Sequence, residues 1–256
     1  MKKIHFFDLA KLYVIANLKV EVSSYYLNYV WWILEPLFMM ATLYCVFEIM
    51  LHQGTGNFVG FLFVGIVFWN WFARCIGNSK DSIYNARGLI QQVWIPKTFF
   101  PFVVVCQDSV KNLIVTSLLL VFLYFYPTPV SISWICLPIL MIIQFVFILA
   151  TSYFFSAITP FVPDLRFIIG TFTELLFFAS GIFYDLDTMV LPQHRPIVYL
   201  NPMAGLLKNY RTVLLEGQWP DWAYLGYVFI GSVVFLLGSM ALLKKLDYAY
   251  PKVCQK

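Results

Sequence analysis

The sequence has 256 residues, of which 61% are hydrophobic, 20% are aromatic and only 12% are charged, with a net charge of +4. Roughly a quarter of the residues in a soluble domain are charged, so this composition excludes an ordinary soluble protein. Most of the chain is expected to lie in lipid, and we predict an all-α integral membrane protein with six transmembrane helices.

The first 28 residues predict a cytoplasmic arm along the membrane surface. In a helix, Asp8, Lys11 and Lys19 fall on one side, whereas aromatic and aliphatic side chains occupy the rest. This pattern is typical of an amphipathic interfacial helix. A loosely ordered basic leader is the alternative.

Six segments predict membrane spans, because a spanning helix needs roughly 20 mostly apolar residues. The fifth is short and contains Glu174. We expect a single transmembrane domain over residues 1–256, with the arm, a bundle over residues 29–243 and a cytoplasmic tail over residues 244–256. The predicted spans are residues 29–51, 58–76, 99–126, 132–158, 167–184 and 223–243.

The positions of the basic residues predict the orientation. Lysine and arginine are enriched in cytoplasmic loops. Thirteen of the 17 lysine and arginine residues lie in the arm, in the tail and in the connections that six spans place on the same side of the membrane. Both termini are therefore expected to be cytoplasmic.

The longest polar cytoplasmic stretch is residues 77–97. There, Asn78 or Ser79 is expected to cap a short helix that runs to Ala86 and that Gly88 ends. We expect a soluble partner to dock on this stretch. A solvated connector is equally consistent with the sequence.

The stretch after the fifth span predicts short external helices. Asn201 suits the N-cap of a helix over residues 203–216, and Pro202 suits its first turn. Apolar residues recur at three-and-four spacing, and the opposite side carries a polar face. The helix is too short to span, so it is expected at the external interface or part-way into the bilayer. The polar face comprises Lys208, Asn209 and Arg211.

Motifs of an enzyme or a nucleotide-binding protein are missing from the sequence. The histidines and cysteines have no metal-ligand spacing, and there is no phosphate-binding loop. We expect no catalytic residue, metal or cofactor in this chain. Asp108 and Lys111 are three residues apart and are expected to neutralise each other. The 26 Phe, 16 Tyr and 8 Trp suit membrane-interface belts, or a conduit for sugars.

Three sets of sequence strings carry a family resemblance. They are residues 25–37 (YYLNYVWWILEPL), residues 89–101 (LIQQVWIPKTFFP), and residues 180–184 (SGIFY) with residues 199–206 (YLNPMAGL). These strings are similar to the membrane subunits of the ABC-2 exporter family and look most like the permeases of O-antigen exporters. Residues 163–166 depart from the Arg-Asp pair common in that family, so the resemblance gives Arg166 no role.

The resemblance implies a homodimer with two ATP-binding cassette subunits, which hold ATP and Mg²⁺, in the bacterial inner membrane. Its cargo would be a polysaccharide on a polyprenyl pyrophosphate lipid; membrane lipid is the other partner, and nucleic acid is not expected. Lys11 and Lys19 are expected to contact the pyrophosphate. The exit would offer sugar contacts at Tyr184, Tyr199 and Tyr210, with membrane anchoring as the alternative. The expected coupling residues are Ser79, Lys80, Asp81, Tyr84, Asn85 and Arg87.

Other functions stay open from the sequence alone. The cargo of such a permease is alternatively teichoic acid, capsule, a drug or another lipid. A membrane-embedded glycan transferase would need a catalytic carboxylate or base, and only Asp185 and Asp187 are suitably paired. A structural scaffold is favoured only if no ATPase is encoded nearby.

Overall fold

The computed structural model describes residues 6–23, 28–50, 58–93, 95–126 and 130–250. Over these ranges the chain is helical and contains no strand. A π-helical segment, Cys45–Met50, continues α2, and a 3-10 helix, Ile132–Cys136, leads into α7. The α-helices are α1 (Phe6–Ser23), α2 (Asn28–Tyr44), α3 (Phe58–Ser79), α4 (Ser82–Asn85), α5 (Arg87–Gln92), α6 (Phe99–Phe125), α7 (Leu137–Ile158), α8 (Leu165–Ala179), α9 (Leu186–Met189), α10 (Arg195–Val198), α11 (Pro202–Leu214) and α12 (Trp222–Leu246).

Five helical segments of the described chain are long and apolar enough to cross a membrane. They match predicted spans one to four and six, and they support a multi-pass membrane protein. The fifth predicted span corresponds to α8, whose 15 residues extend roughly 22 Å and fall short of the ~30 Å hydrocarbon core. The six-span topology therefore stays a prediction. The five segments are Val30–Met50, Phe58–Ser79, Phe99–Phe125, Ile132–Ile158 and Trp222–Leu246.

Helix α3 is the centre of the bundle, and α2, α6, α7 and α11 pack around it. Leu62, Val64 and Ile66 of α3 are completely buried. The buried Gln144 amide of α7 donates a hydrogen bond to the Phe68 carbonyl of α3 at 2.8 Å. Because an unmade bond is costly in an apolar interior, this contact fixes how α7 sits against α3.

The N-terminal arm forms helix α1, which packs against α6 through buried Ala10 and Val14. Lys11 and Lys19 are exposed. Leu12 is also exposed, as are other apolar residues of α1, so the outer side mixes charged and apolar groups. The predicted arm is helical over the described residues, and its place at the membrane interface stays a prediction.

A buried ion cluster joins α1 to the bundle. The Lys111 ammonium of α6 lies 3.3 Å from Asp108 and 2.7 Å from Glu21 of α1. Asn78 of α3 donates a hydrogen bond to Asp108 at 2.8 Å. The predicted pairing of Asp108 with Lys111 is confirmed. Glu21 is a third member that sequence spacing did not indicate, because it comes from a different helix.

The short helix predicted within residues 77–97 has different ends. Helix α3 continues to Ser79, which is buried, so neither Asn78 nor Ser79 caps a new helix. Packing of the apolar side of α3 carries it past these polar residues. The short helix that follows is α4, which ends at the exposed Asn85. Gly88 does not end a helix but lies inside the next one, α5.

Candidate functional site

A cavity of about 460 Å³ opens beside α11, at the end of the bundle away from α4. Its walls come from the π-helical segment after α2, the start of α3, the turn after α8, and α9 to α11. Six aromatic rings and five charged side chains line it. The aromatic residues are Phe47, Phe58, Phe61, Phe183, Tyr184 and Tyr199, and the charged residues are Asp185, Asp187, Lys208, Arg211 and Glu216.

The turn after α8 forms one wall and is fastened to α11. Gly181 has a φ of +67°, which glycine adopts without the penalty that other residues incur. The Asn201 amide donates a hydrogen bond to the Ser180 hydroxyl at 2.8 Å. The Asn201 side-chain oxygen accepts from the Met203 N–H at 3.1 Å, so Asn201 caps α11. The predicted start of this helix at Asn201 and Pro202 is confirmed.

Asp187 is the polar centre of the cavity. The Lys208 ammonium lies 2.5 Å from its Oδ2, and the Tyr199 hydroxyl donates to its Oδ1 at 2.8 Å. Burial raises the pKa of Asp187, but hydrogen bonds from Lys208 and Tyr199 and the charges of Lys208 and Arg195 lower the pKa overall. Burial lowers the pKa of Lys208, and its contacts with Asp187 and Tyr199 raise that pKa overall. The Asp187–Lys208 pair is therefore ionised at neutral pH.

Arg211 is a cation buried to 6% exposure beside the cavity. Its guanidinium donates hydrogen bonds to the carbonyls of Gly181 at 2.7 Å, Ile182 at 2.8 Å and Phe61 at 3.3 Å. It also lies 3.4 Å from the ring centre of Phe61. Burial lowers the pKa of Arg211 to about 9, with the charge of Asp185 opposing, so Arg211 stays protonated at neutral pH. One side chain thus joins α3, the turn after α8 and α11.

The predicted polar face of α11 is mostly buried. Asn209 is 4% exposed, and its side-chain oxygen accepts from the Asp221 N–H at 2.7 Å. Arg211 is likewise buried, and only Lys208 of the three is well exposed. Helical spacing located these residues on one face, but it did not indicate that the neighbouring turns would cover that face.

The three tyrosines predicted to contact sugars have different surroundings. Tyr184 and Tyr199 line the cavity, so the structure brings these two together. Tyr210 is completely buried, and its ring stacks on Phe68 with 3.6 Å between centroids. Burial raises the pKa of its hydroxyl, for which the described residues offer no hydrogen-bond partner. Nothing in this geometry supports a contact between Tyr210 and a sugar.

The predicted coupling residues gather at the opposite end of the bundle. Asp81 forms an ion pair with Arg166 at 2.8 Å, and that guanidinium lies 4.3 Å from the ring centre of Tyr84. Lys80 donates to the Arg166 carbonyl at 3.0 Å, and Arg87 donates to the Tyr84 hydroxyl at 2.9 Å. Arg166, which the family resemblance left without a role, thus joins the segment around α4 to the start of α8.

The acidic, histidine and cysteine side chains of the described ranges form no metal-binding cluster. No group of three or more His, Cys, Asp or Glu side chains there is placed to hold a metal ion. Asp185 caps α9 by accepting from the Asp187 N–H at 3.1 Å, and Asp187 is bound to Lys208. Both carboxylates proposed for a transferase therefore have structural partners.

Comparisons with known proteins show similarity along almost the whole chain. The O-antigen export system permease protein RfbA of Klebsiella pneumoniae is 25% identical over 97% of this chain and 96% of the relative. The protein of the same name from Myxococcus xanthus is 29% identical over 88% of this chain and 87% of the relative. No protein-family model matches the chain. These similarities confirm the resemblance to exporter permeases that the sequence strings indicated.

Proposed function

We propose that this chain, which resembles O-antigen export permeases along nearly its full length, is the membrane subunit of an ATP-driven polysaccharide exporter. Its cargo is an O-antigen-like polymer on a polyprenyl pyrophosphate lipid, which moves from the cytoplasm to the periplasm across the inner membrane. The cavity beside α11 is the structural observation that supports the proposal. Aromatic faces and hydrogen-bonding edges together suit sugar rings, and the cavity lies at the expected exit.

A second copy of the chain completes the pathway in this proposal, with α8 as a short fifth span and both termini cytoplasmic. Almost none of the Val30–Met50 segment is buried within one chain. Glu174 is exposed on α8, and Glu35, also exposed, forms an ion pair with Arg74 at 2.8 Å on the outer side of α2 and α3. A charge facing lipid is costly, so these helices suit a wet pathway between two copies better than the bilayer.

Two ATP-binding subunits dock at α4 and α5 in this proposal and supply ATP and Mg²⁺. The exposed Asn85 and Arg87 support such a contact. Lys11 and Lys19, exposed on α1, are the proposed first contacts of the lipid pyrophosphate. A lysine near an anionic surface contributes about 1 kcal/mol, so the pair favours a headgroup at this position.

Reversing the charge of Asp81 is expected to weaken coupling between ATP hydrolysis and export. Asp81→Arg places two cations together at the joint with Arg166, where an ion pair of this partial exposure contributes up to ~1 kcal/mol. We expect export per ATP to fall about fivefold. The double variant Asp81→Arg with Arg166→Asp is expected to recover most of it. Asp164→Arg, an exposed reversal on the neighbouring turn, is the control. A double variant no better than the single would show that the pair does not couple the segments.

Deleting the gene tests the proposed function in the host cell. The expected result is loss of surface polysaccharide together with accumulation of lipid-linked chains in the cytoplasm, both reversed by the intact gene. An unchanged surface with no internal accumulation would exclude polysaccharide as the cargo. Teichoic acid, capsule, a drug or another lipid would then be the cargoes to test.

A further inference from the structure

We infer that the cavity beside α11 is a saccharide-binding site that accepts uncharged sugar units and disfavours acidic ones. The inference rests on the proposed function and specifies which sugars this site takes. The volume of about 460 Å³ is within the range of ligand pockets, roughly 300–1,000 Å³, so the site suits a short saccharide segment.

Aromatic rings supply apolar walls against which sugar rings can stack. Phe47 and Phe183 stack on each other with 4.9 Å between ring centroids, and they join the π-helical segment after α2 to the turn after α8. The Tyr199 ring forms another wall, held by its hydroxyl on Asp187. Because these rings are fixed by neighbours, little side-chain entropy is lost when a ligand stacks on them.

The charged groups of the cavity leave it net negative. Three carboxylates line it against two cations. Lys208 is paired with Asp187, and the Arg211 donors are directed to the three backbone carbonyls described above. Glu216 and Asp185 make no ion pair with any basic residue of the described chain. The charge of Arg211 offsets one of these two carboxylates, so the residues that line the cavity keep a net charge of −1.

The net negative charge of the cavity determines whether it binds neutral or acidic sugars. Hydroxyl groups of a neutral sugar donate hydrogen bonds to carboxylates, and the bonds to charged acceptors are the stronger kind. A uronate or phosphate would instead face Glu216 and Asp185. Lys208 is already paired with Asp187, and the donors of Arg211 are directed to backbone carbonyls, so neither offers such a group a free donor. Like charges repel more strongly at half-buried Asp185 than at exposed Glu216, where water screens them.

The test is binding of a neutral trisaccharide, and of the same trisaccharide carrying one uronic acid, to the full-length protein in lipid nanodiscs. Saturation-transfer NMR detects weak binding of both. We expect the acidic probe to bind about tenfold more weakly. Tyr199→Ala is expected to abolish binding of the neutral probe. Tyr124→Ala, an exposed tyrosine at the end of α6, is the matched control and is expected to retain it.

Neutralising Asp185 and Glu216, the two carboxylates of the cavity without an ion-pair partner in the described chain, tests the origin of the selectivity. Asp185→Asn keeps a side chain able to cap α9, and Glu216→Gln keeps its shape. Together they are expected to bring the acidic probe to within about twofold of the neutral one. Equal binding of both probes to the unaltered protein, or no binding of the neutral probe, would overturn the inference. Failure of the gene-deletion result with selective sugar binding intact would instead count against the proposed cargo alone.

Discussion

The substitution Arg211→Met is expected to destabilise the protein by roughly 2–6 kcal/mol, because it strips hydrogen bonds from the buried carbonyls of Gly181 and Ile182. Methionine keeps an apolar side chain of similar length but donates no hydrogen bond. The turn after α8 then loses the Arg211 bonds to α11 and keeps only the hydrogen bond from Asn201 to Ser180, which loosens one wall of the cavity. We expect export to fall together with stability.

Thermal unfolding in detergent measures this effect, with labelling of the buried thiols Cys75 and Cys136 as the readout. Arg211→Lys keeps the charge but lacks the planar fork, so its stability is expected to lie between that of the unaltered protein and that of the methionine variant. Arg87→Met removes an exposed arginine and serves as the control for stability. Equal unfolding temperatures for the two methionine variants would contradict the role assigned to Arg211.

The second large effect is expected from Gly205→Ala in α11. A Cβ at Gly205 would overlap the ring of Tyr224, whose hydroxyl donates to the Tyr199 carbonyl at 3.1 Å. Alanine ordinarily favours a helix over glycine by roughly 0.5–1 kcal/mol. Overpacking costs roughly 1–3 kcal/mol, so destabilisation is expected to prevail. The close approach gives a physical reason for glycine in the string at residues 199–206.

Two further variants identify the overlap as the cause. Gly231→Ala, in α12, places its Cβ in open space and is expected to be neutral or slightly stabilising in the same unfolding measurement. Combining Gly205→Ala with Tyr224→Ala removes the overlap, so alanine at residue 205 should cost less in that background. If Gly205→Ala unfolds at the same temperature as Gly231→Ala, α11 and α12 do not approach as described.

Apolar length was enough to predict the long helices, because a membrane span is a local property of the chain. Phe58–Ser79 and Trp222–Leu246 lie within a few residues of their predicted limits. The helix predicted over residues 167–184 agrees less well with the structure, because α8 ends at Ala179. The remaining residues turn at Gly181 and form a wall of the cavity. Hydropathy does not distinguish a short span from a helix followed by an apolar turn.

The candidate site could be predicted only in part, because its contacts join distant segments. Tyr184 and Tyr199 were named as site residues because they lie in the predicted external stretch, and both line the cavity. The sugar contact of Tyr210 stays a prediction, which its complete burial does not support. The burial of Arg211 was not predictable, because helical spacing shows which residues share a face whereas the structure decides which face is covered. The same limit hid Arg166, whose partner Asp81 lies on another connection.

Transport by the purified protein is the most direct test of the exporter assignment. The chain is co-purified with the ATP-binding subunit that we propose as its partner and is reconstituted into vesicles whose ATP-binding sites face outward. Lipid-linked polysaccharide added outside is expected to become protected from an external glycosidase when ATP is present, and to stay accessible when the ATPase is inactivated. Polymer that remains accessible while the intact partner hydrolyses ATP would contradict the assignment.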